Sequence, residues 1–190
     1  MKEAQKKFIS RYREHDLNAR DDYGWTPVMY AAHYNMPEII EEMLRDKLSN
    51  VDDVTKIGKT ALMIAAARDN VEALDKLIDC GASIDMQDYA GATALFYAVR
   101  SNSARCVKRL VDKHCNVEIT DDIGTTAIFS AARLRNKECL QIMVDAGANV
   151  AIKHNYGFGV IDHVNTLDNG LNHLGSYDEI RKILGCSSTD

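Results

Sequence analysis

Apolar residues recur along this chain at the spacing of short helices. One set lies at Ile39, Ile40, Met43 and Leu44, and a second at Leu74, Leu77 and Ile78. Two more lie at Val107, Leu110 and Val111 and at Leu140, Met143 and Val144. Positions three and four apart share one helix face, so each set predicts one buried stripe. A pair of small residues precedes each stripe: Ala31-Ala32, Ala65-Ala66, Ala98-Val99 and Ala131-Ala132. Small side chains let neighbouring helices approach closely. A polar turn, at Asn35, Asn70, Asn102 and Asn136, separates each pair from its stripe.

The polar punctuation keeps the same beat. Gly24-Trp25-Thr26-Pro27 recurs as Gly58-Lys59-Thr60-Ala61, Gly91-Ala92-Thr93-Ala94 and Gly124-Thr125-Thr126-Ala127. The glycines are 34, 33 and 33 residues apart, and Gly157 follows 33 later. A short acidic or polar lead-in ends at each glycine, which can take the positive φ of a tight turn. The threonine then reads as a helix N-cap, with Pro27 at the first helical position, where a missing N–H costs nothing. Gly81-Ala82 and Gly147-Ala148 stop a second helix with a left-handed cap. A fixed period of this length marks a stacked array, because one helix pair cannot bury its apolar face alone. Such arrays present a surface more often than a catalytic pocket.

The pattern Asp-x-x-Gly-x-Thr-Pro/Ala-Leu-x-x-Ala-Ala, then a helix, then Gly-Ala-x-x, resembles the ankyrin repeat. Asp88 to Leu95 and Gly147 to Val150 are close matches, and the resemblance covers about residues 21 to 160. It implies an all-α ankyrin-repeat solenoid with an N-terminal capping helix or half repeat in 1–20. Four repeats would follow in 21–153, and a divergent capping repeat with an insertion in 154–190. The capping helix would turn Phe8, Ile9 and Tyr12 inward. The family usually has His two residues after the Pro, where it bonds between repeats. Met29, Met63, Phe96 and Phe129 stand there, so apolar packing is expected to replace a polar ladder. His114 occupies a cap-glycine position and Lys47-Leu48-Ser49-Asn50 lacks one, which predicts looser loops at both. In the last block Gly159 replaces Thr, Asp162 takes an apolar position and Val164-Asn165 replaces Ala-Ala. About eight residues from Thr166 to His173 read as inserted before a final helix near Tyr177 to Leu184.

Charge and cysteine usage narrow the function classes. The net charge of −5 divides unevenly. Residues 1–20 carry six basic and three acidic groups, and residues 21–190 carry 17 and 25. So acidic a body is a poor general binder of nucleic acid, which needs phosphate neutralisation. No apolar run approaches the ~20 residues of a membrane span, and the polar start is no signal peptide. An intracellular protein of cytoplasm or nucleus is expected. None of the five cysteines forms a Cys-x-x-Cys pair, so a zinc site lacks support. Cys106 and Cys139, 33 apart, read as buried free thiols.

Catalytic chemistry finds little purchase. Gly58-Lys59-Thr60 resembles the end of a phosphate-binding loop, but Asp53 stands where that motif needs glycine. His154, Asp162, His163, Asp168 and His173 are metal-ligand types whose spacings match no site, in a region that reads first as a divergent polar cap. No nucleophile with a fixed base is visible. No cofactor, no metal and no enzymatic activity are expected.

By resemblance, residues flanking the turn glycine and those just after the small pair line a shared concave groove. In the first block these are Tyr23, Trp25, His33 and Tyr34; in the second, Lys56, Ile57, Lys59 and Arg68. The third and fourth add Tyr89, Arg100, Ser101, Ile123, Thr125, Arg133 and Leu134, and the fifth Tyr156 and Phe158. Arg68, Arg100 and Arg133 would form a ladder on an acidic body, with Trp25 as aromatic anchor. Tyr, Trp and Arg dominate interface energetics, and Arg grips carboxylate or phosphate with a planar fork. The expectation is a non-catalytic protein-binding module, an adaptor, scaffold or regulatory subunit, monomeric by itself. Its ligand would be an acidic or phosphorylated segment of another protein. An inhibitor docked on a protein kinase or other enzyme is the alternative within binding; some short ankyrin proteins that this chain resembles act so. An enzyme or metal protein built on the C-terminal His/Asp cluster is the alternative outside it. These arginines and tyrosines could equally be solvated or packed on neighbouring repeats.

Overall fold

The computed structural model describes residues 19–45, 49–168 and 177–185. Among them the chain forms ten helices and no strand. Four pairs come first: α1 (Pro27–His33) with α2 (Pro37–Arg45), α3 (Ala61–Ala67) with α4 (Val71–Asp79), α5 (Ala94–Arg100) with α6 (Ala104–Asp112), and α7 (Ala127–Arg133) with α8 (Lys137–Asp145). α9 (Val160–Asp168) and α10 (Asp178–Ile183) follow. First helices pack on first helices and second on second, which makes an all-α solenoid. The expected capping helix with Phe8, Ile9 and Tyr12 lies outside the described residues, as do Lys47, Leu48 and Cys186.

Each repeat enters its first helix through a side-chain-stabilised turn. One oxygen of Asp21 accepts the N–H groups of Tyr23 and Trp25, both at 2.8 Å. Asp88 does the same for Ala90 and Ala92, and Asp121 for Ile123 and Thr125. The second oxygen takes the hydroxyl of Tyr30, Tyr97 or Thr125 at 2.6 Å. Burial pushes the Asp21 carboxyl up, but the Tyr30 hydroxyl and the turn N–H groups outweigh it and hold it below its usual range. In the second repeat the Thr55 hydroxyl serves instead, accepting from Ile57 and Lys59. The turn glycines sit at φ of +78 to +82°. Adjacent turns join through the backbone. Lys56 N–H donates to Tyr23 C=O, Tyr89 to Ile57, Asp122 to Ala90 and Asn155 to Ile123, at 3.1–3.3 Å.

The helix starts qualify one expectation. The Thr26 and Thr60 hydroxyls accept the N–H of Met29 and Met63. In return each methionine sulfur accepts the threonine N–H at 3.4 Å. These two positions therefore keep a weak polar contact, since a thioether is a poor but real acceptor. Only Phe96 and Phe129 are purely apolar there. Thr93 and Thr126 make no such cap, and Thr126 Oγ1 is buried without a partner among the described residues.

The small pairs and stripes form one continuous core. Ala31, Ala32, Ala65, Ala66, Ala98, Val99, Ala131 and Ala132 are all buried, with Ile40, Leu74, Leu77, Leu110, Leu140 and Met143 beneath them. Ile39, Ile78, Val111 and Val144 edge the stripes, half-buried. His114 adopts φ +61° and makes the capping bonds that Gly81 and Gly147 make, His114 N–H to Val111 C=O and Cys115 N–H to Leu110 C=O. The expected loosening is absent from its geometry. A non-glycine there costs about 1–2 kcal/mol of backbone strain instead.

The four turn asparagines divide into two roles. Asn35 and Asn102 are the left-handed residues, both at φ +54°, a place that Asp69 and Arg135 fill in the other repeats. Asn70 and Asn136 stand one residue later. Asn70 donates to Ala32 and His33 C=O at 2.8 and 2.9 Å, while Asn35 accepts Ala73 N–H at 3.0 Å. Asn136 donates to Val99 C=O, and Asn102 accepts the Cys139 thiol at 3.8 Å. These amides join repeats one to two and three to four. Ser103 stands in place of the donating asparagine at the joint of repeats two and three. Ion pairs cross there on the outer face: Arg109–Asp75 at 2.7 Å, Lys113–Asp79 at 3.1 Å, and Arg105 with Asp69 and Glu72 at 3.7 and 3.5 Å. Exposed pairs of this kind give ~0–1 kcal/mol each.

α9 continues through Thr166, Leu167 and Asp168, so the start of the expected insertion is helical. Residues 169–176, with His173, lie outside the described residues.

Cys106, Cys115 and Cys139 are buried. Burial raises their thiols to about 12, about 12 and about 11. They are protonated at neutral pH and inert, since only the thiolate attacks. A thiol-specific reagent at neutral pH is expected to leave all three unmodified in the native protein and to label them in denaturant. Peptide mass spectrometry reads the difference.

Candidate binding face

The turn tips form the first edge of this face. Tyr23, Ile57, Tyr89, Ile123 and Tyr156 place one exposed large apolar side chain on each of five successive turns. Turn tips ordinarily carry small or polar residues, so an apolar residue on every one needs a reason. One of them packs on the neighbouring turn: the Tyr89 ring covers Gly58, 2.7 Å from where a Cβ would project.

The second edge is the row of first-helix C-termini. It carries His33 and Tyr34, Arg68, Arg100, and Arg133 with Leu134. Arg68, Arg100 and Arg133 are exposed, and among the described residues their guanidinium groups have no ion-pair or hydrogen-bond partner. The expected ladder is staggered. Arg100 and Arg133 lie nine residues after their turn glycine, level with His33. Arg68 lies ten after, level with Tyr34, Ser101 and Leu134. All eight exposed large apolar residues recorded among the described residues, Tyr34, Leu134 and Phe158 included, belong to these two edges.

Other expected site residues are more committed. Trp25 is half-buried and packs on the core, its ring 5.0 Å from Tyr30 and 5.6 Å from His33. It is an edge of the core rather than a free anchor, so replacing it loosens the fold as well as the surface. Lys59 Nζ lies 4.5 Å above the Tyr97 ring, while Lys56 is exposed. Burial and the nearby Arg68 charge lower the His33 pKa.

His154, Asp162 and His163 of the last repeat are engaged in packing and capping; the Asp168 side chain and His173 lie outside the described residues. His154 and His163 flank the Phe129 ring at 5.4 and 5.0 Å, and Tyr156 and Phe158 pack on His154. Asp162 accepts the Gly159 N–H at 2.9 Å at the start of α9, which holds its carboxyl below the usual range. Among the described residues no three His, Cys, Asp or Glu side chains gather as a metal site. No described helix is long and apolar enough to cross a membrane.

A turn–helix–helix unit stacked at this period defines a repeat-protein scaffold. Residues 2–88 and 62–154 match the family model for ankyrin repeats in three copies, and the chain belongs to the ankyrin-repeat family. Over 80 residues it is 40% identical to neurogenic locus notch homolog protein 2 of Homo sapiens, and over 79 residues 38% identical to neurogenic locus notch homolog protein 1 of Homo sapiens and of Xenopus laevis. Each match covers 42% of this chain and 3% of the relative. Ankyrin repeats generally mediate protein–protein interaction, and the family is generally non-catalytic.

Proposed function

We propose that the chain is a non-catalytic binding module whose working face is the two edges just described, and that it takes an acidic segment of another protein. One observation carries this: the recorded exposed apolar side chains and three unpartnered arginines share one face, while the basic residues of the outer helices are largely ion-paired. A cation in the last turn of a helix also offsets the helix dipole, worth ~0.3–1 kcal/mol. That accounts for Arg100 and Arg133 singly, but not for the apolar turn tips beside them.

The test is the triple variant R68A/R100A/R133A against a panel of acidic and neutral peptides, followed by fluorescence anisotropy. The variant is expected to stay folded, because these side chains cover no core, and to lose at most about 2 kcal/mol through the two helix-dipole contributions. Acidic peptides should bind the wild type, and each lost arginine anchor should weaken binding by about 2 kcal/mol. Equal binding by wild type and variant, or by acidic and neutral peptides, sinks the proposal.

A further inference from the structure

A depression lies beside Arg68. Arg68 belongs to the second repeat, and His33 and Tyr34 of the first and Ser101 and Ser103 of the third border the same depression. Together with Ala67, Asp69 and Asn70 these residues enclose about 430 Å³. That is within the ~300–1,000 Å³ range of ligand sites.

The chemistry of its walls is selective. α1 and α3 end here, and bare helix C-termini repel anions. Their carbonyls are already engaged. Asn70 donates to Ala32 and His33 C=O, and the Ser101 hydroxyl donates to Ala67 C=O at 2.9 Å. Asp69 is the one acidic wall residue, and Arg105 offsets it from the outer side at 3.7 Å. The other Asp69 oxygen, Oδ1, is buried without a hydrogen-bond partner among the described residues. The accessible groups left over are an exposed guanidinium with no partner among the described residues and the half-buried His33 imidazole beside it.

We propose that this cavity binds one phosphorylated side chain, a phosphoserine or phosphothreonine within the partner's acidic segment, with Arg68 and His33 as the groups that grip it. The inference rests on the acidic-segment reading above. A phosphate presents three strong acceptor oxygens and up to two charges, which suits a planar fork plus a protonatable ring better than a single carboxylate does. The Tyr34 and Ala67 wall would pack on the apolar stem of the phosphorylated residue. Arg100 and Arg133 would meet acidic residues farther along the segment.

The experiment uses one acidic peptide in three forms, with serine, glutamate or phosphoserine at one position, and the full chain as wild type, R68A and R133A. Affinity is read by anisotropy and the His33 imidazole by NMR titration. The phosphoserine form is expected to bind about tenfold more tightly than the serine form, a difference of about 1.4 kcal/mol. The His33 pKa should rise on binding, because a nearby anion favours its charged form. R68A should erase the preference and the His33 shift while the weaker charge-driven binding persists. R133A should weaken all three peptides alike and keep the preference. Glutamate matching phosphoserine, or a preference that survives R68A, overturns the phosphate site and spares the acidic-segment reading. No binding by any form overturns both.

Discussion

Leu62→Ala is expected to destabilise the protein by about 2–5 kcal/mol. Leu62 is 1% exposed and lies in α3, which packs between α1 and α5. A side chain held from both sides leaves a cavity that its neighbours cannot close by moving one way. The loss includes both the transfer free energy of the missing methyl and methylene groups and the empty space left behind. Against a typical total of ~5–15 kcal/mol the effect is large, and urea denaturation should show it as a lowered midpoint. A midpoint within error of wild type would mean that the stack repacks freely, contrary to the close approach of its alanine-faced helices.

The second large effect is expected at Gly91→Ala. Gly91 sits at φ +78°, and a Cβ there would lie 2.8 Å from both Asp121 Cα and Asp122 N. Both are backbone atoms, so no side chain can swing clear. The adjoining Asp122 N–H to Ala90 C=O bond would have to lengthen as the turns part. The loss should be at least about 2 kcal/mol, with the backbone strain alone supplying ~1–3. Gly81→Ala is the control. Its φ is +91° but nothing lies within 4 Å of the added Cβ. It should show the conformational part without the collision, and equal losses at the two sites would refute the close turn contact.

The repeat was legible because glycine, threonine and the alanine pair each meet a local backbone demand that recurs every 33 or 34 residues. Contacts between repeats were legible only in part. Grouping Asn35, Asn70, Asn102 and Asn136 as one turn merged two roles that a count from the turn glycine separates. The same count exposes the stagger of Arg68. Trp25 was harder: next to a turn glycine it reads as surface, and only the neighbouring Tyr30 and His33 rings make it part of the core edge. Met29 and Met63 recur 34 residues apart, yet the bond from threonine N–H to sulfur was not legible, since a Met in a core position is ordinarily read as a gap filler. The aromatic setting of His154 and His163 needed the fold, because it depends on a Phe129 one repeat away.

The unlike joints differ in how far salt can reach their polar bonds. Side-chain amides bridge the first and third junctions, with one exposed ion pair, Lys76–Glu41, added at the first, whereas three exposed basic residues, Arg105, Arg109 and Lys113, span the second. Added salt screens exposed charges, with a Debye length of about 8 Å at physiological strength and about 3 Å at 1 M, and leaves buried amide bonds almost untouched. Rising ionic strength therefore weakens the polar contacts of the second junction more than those of the first and third. The salt-sensitive joint is the one that carries Arg68 on one side and Arg100 on the other.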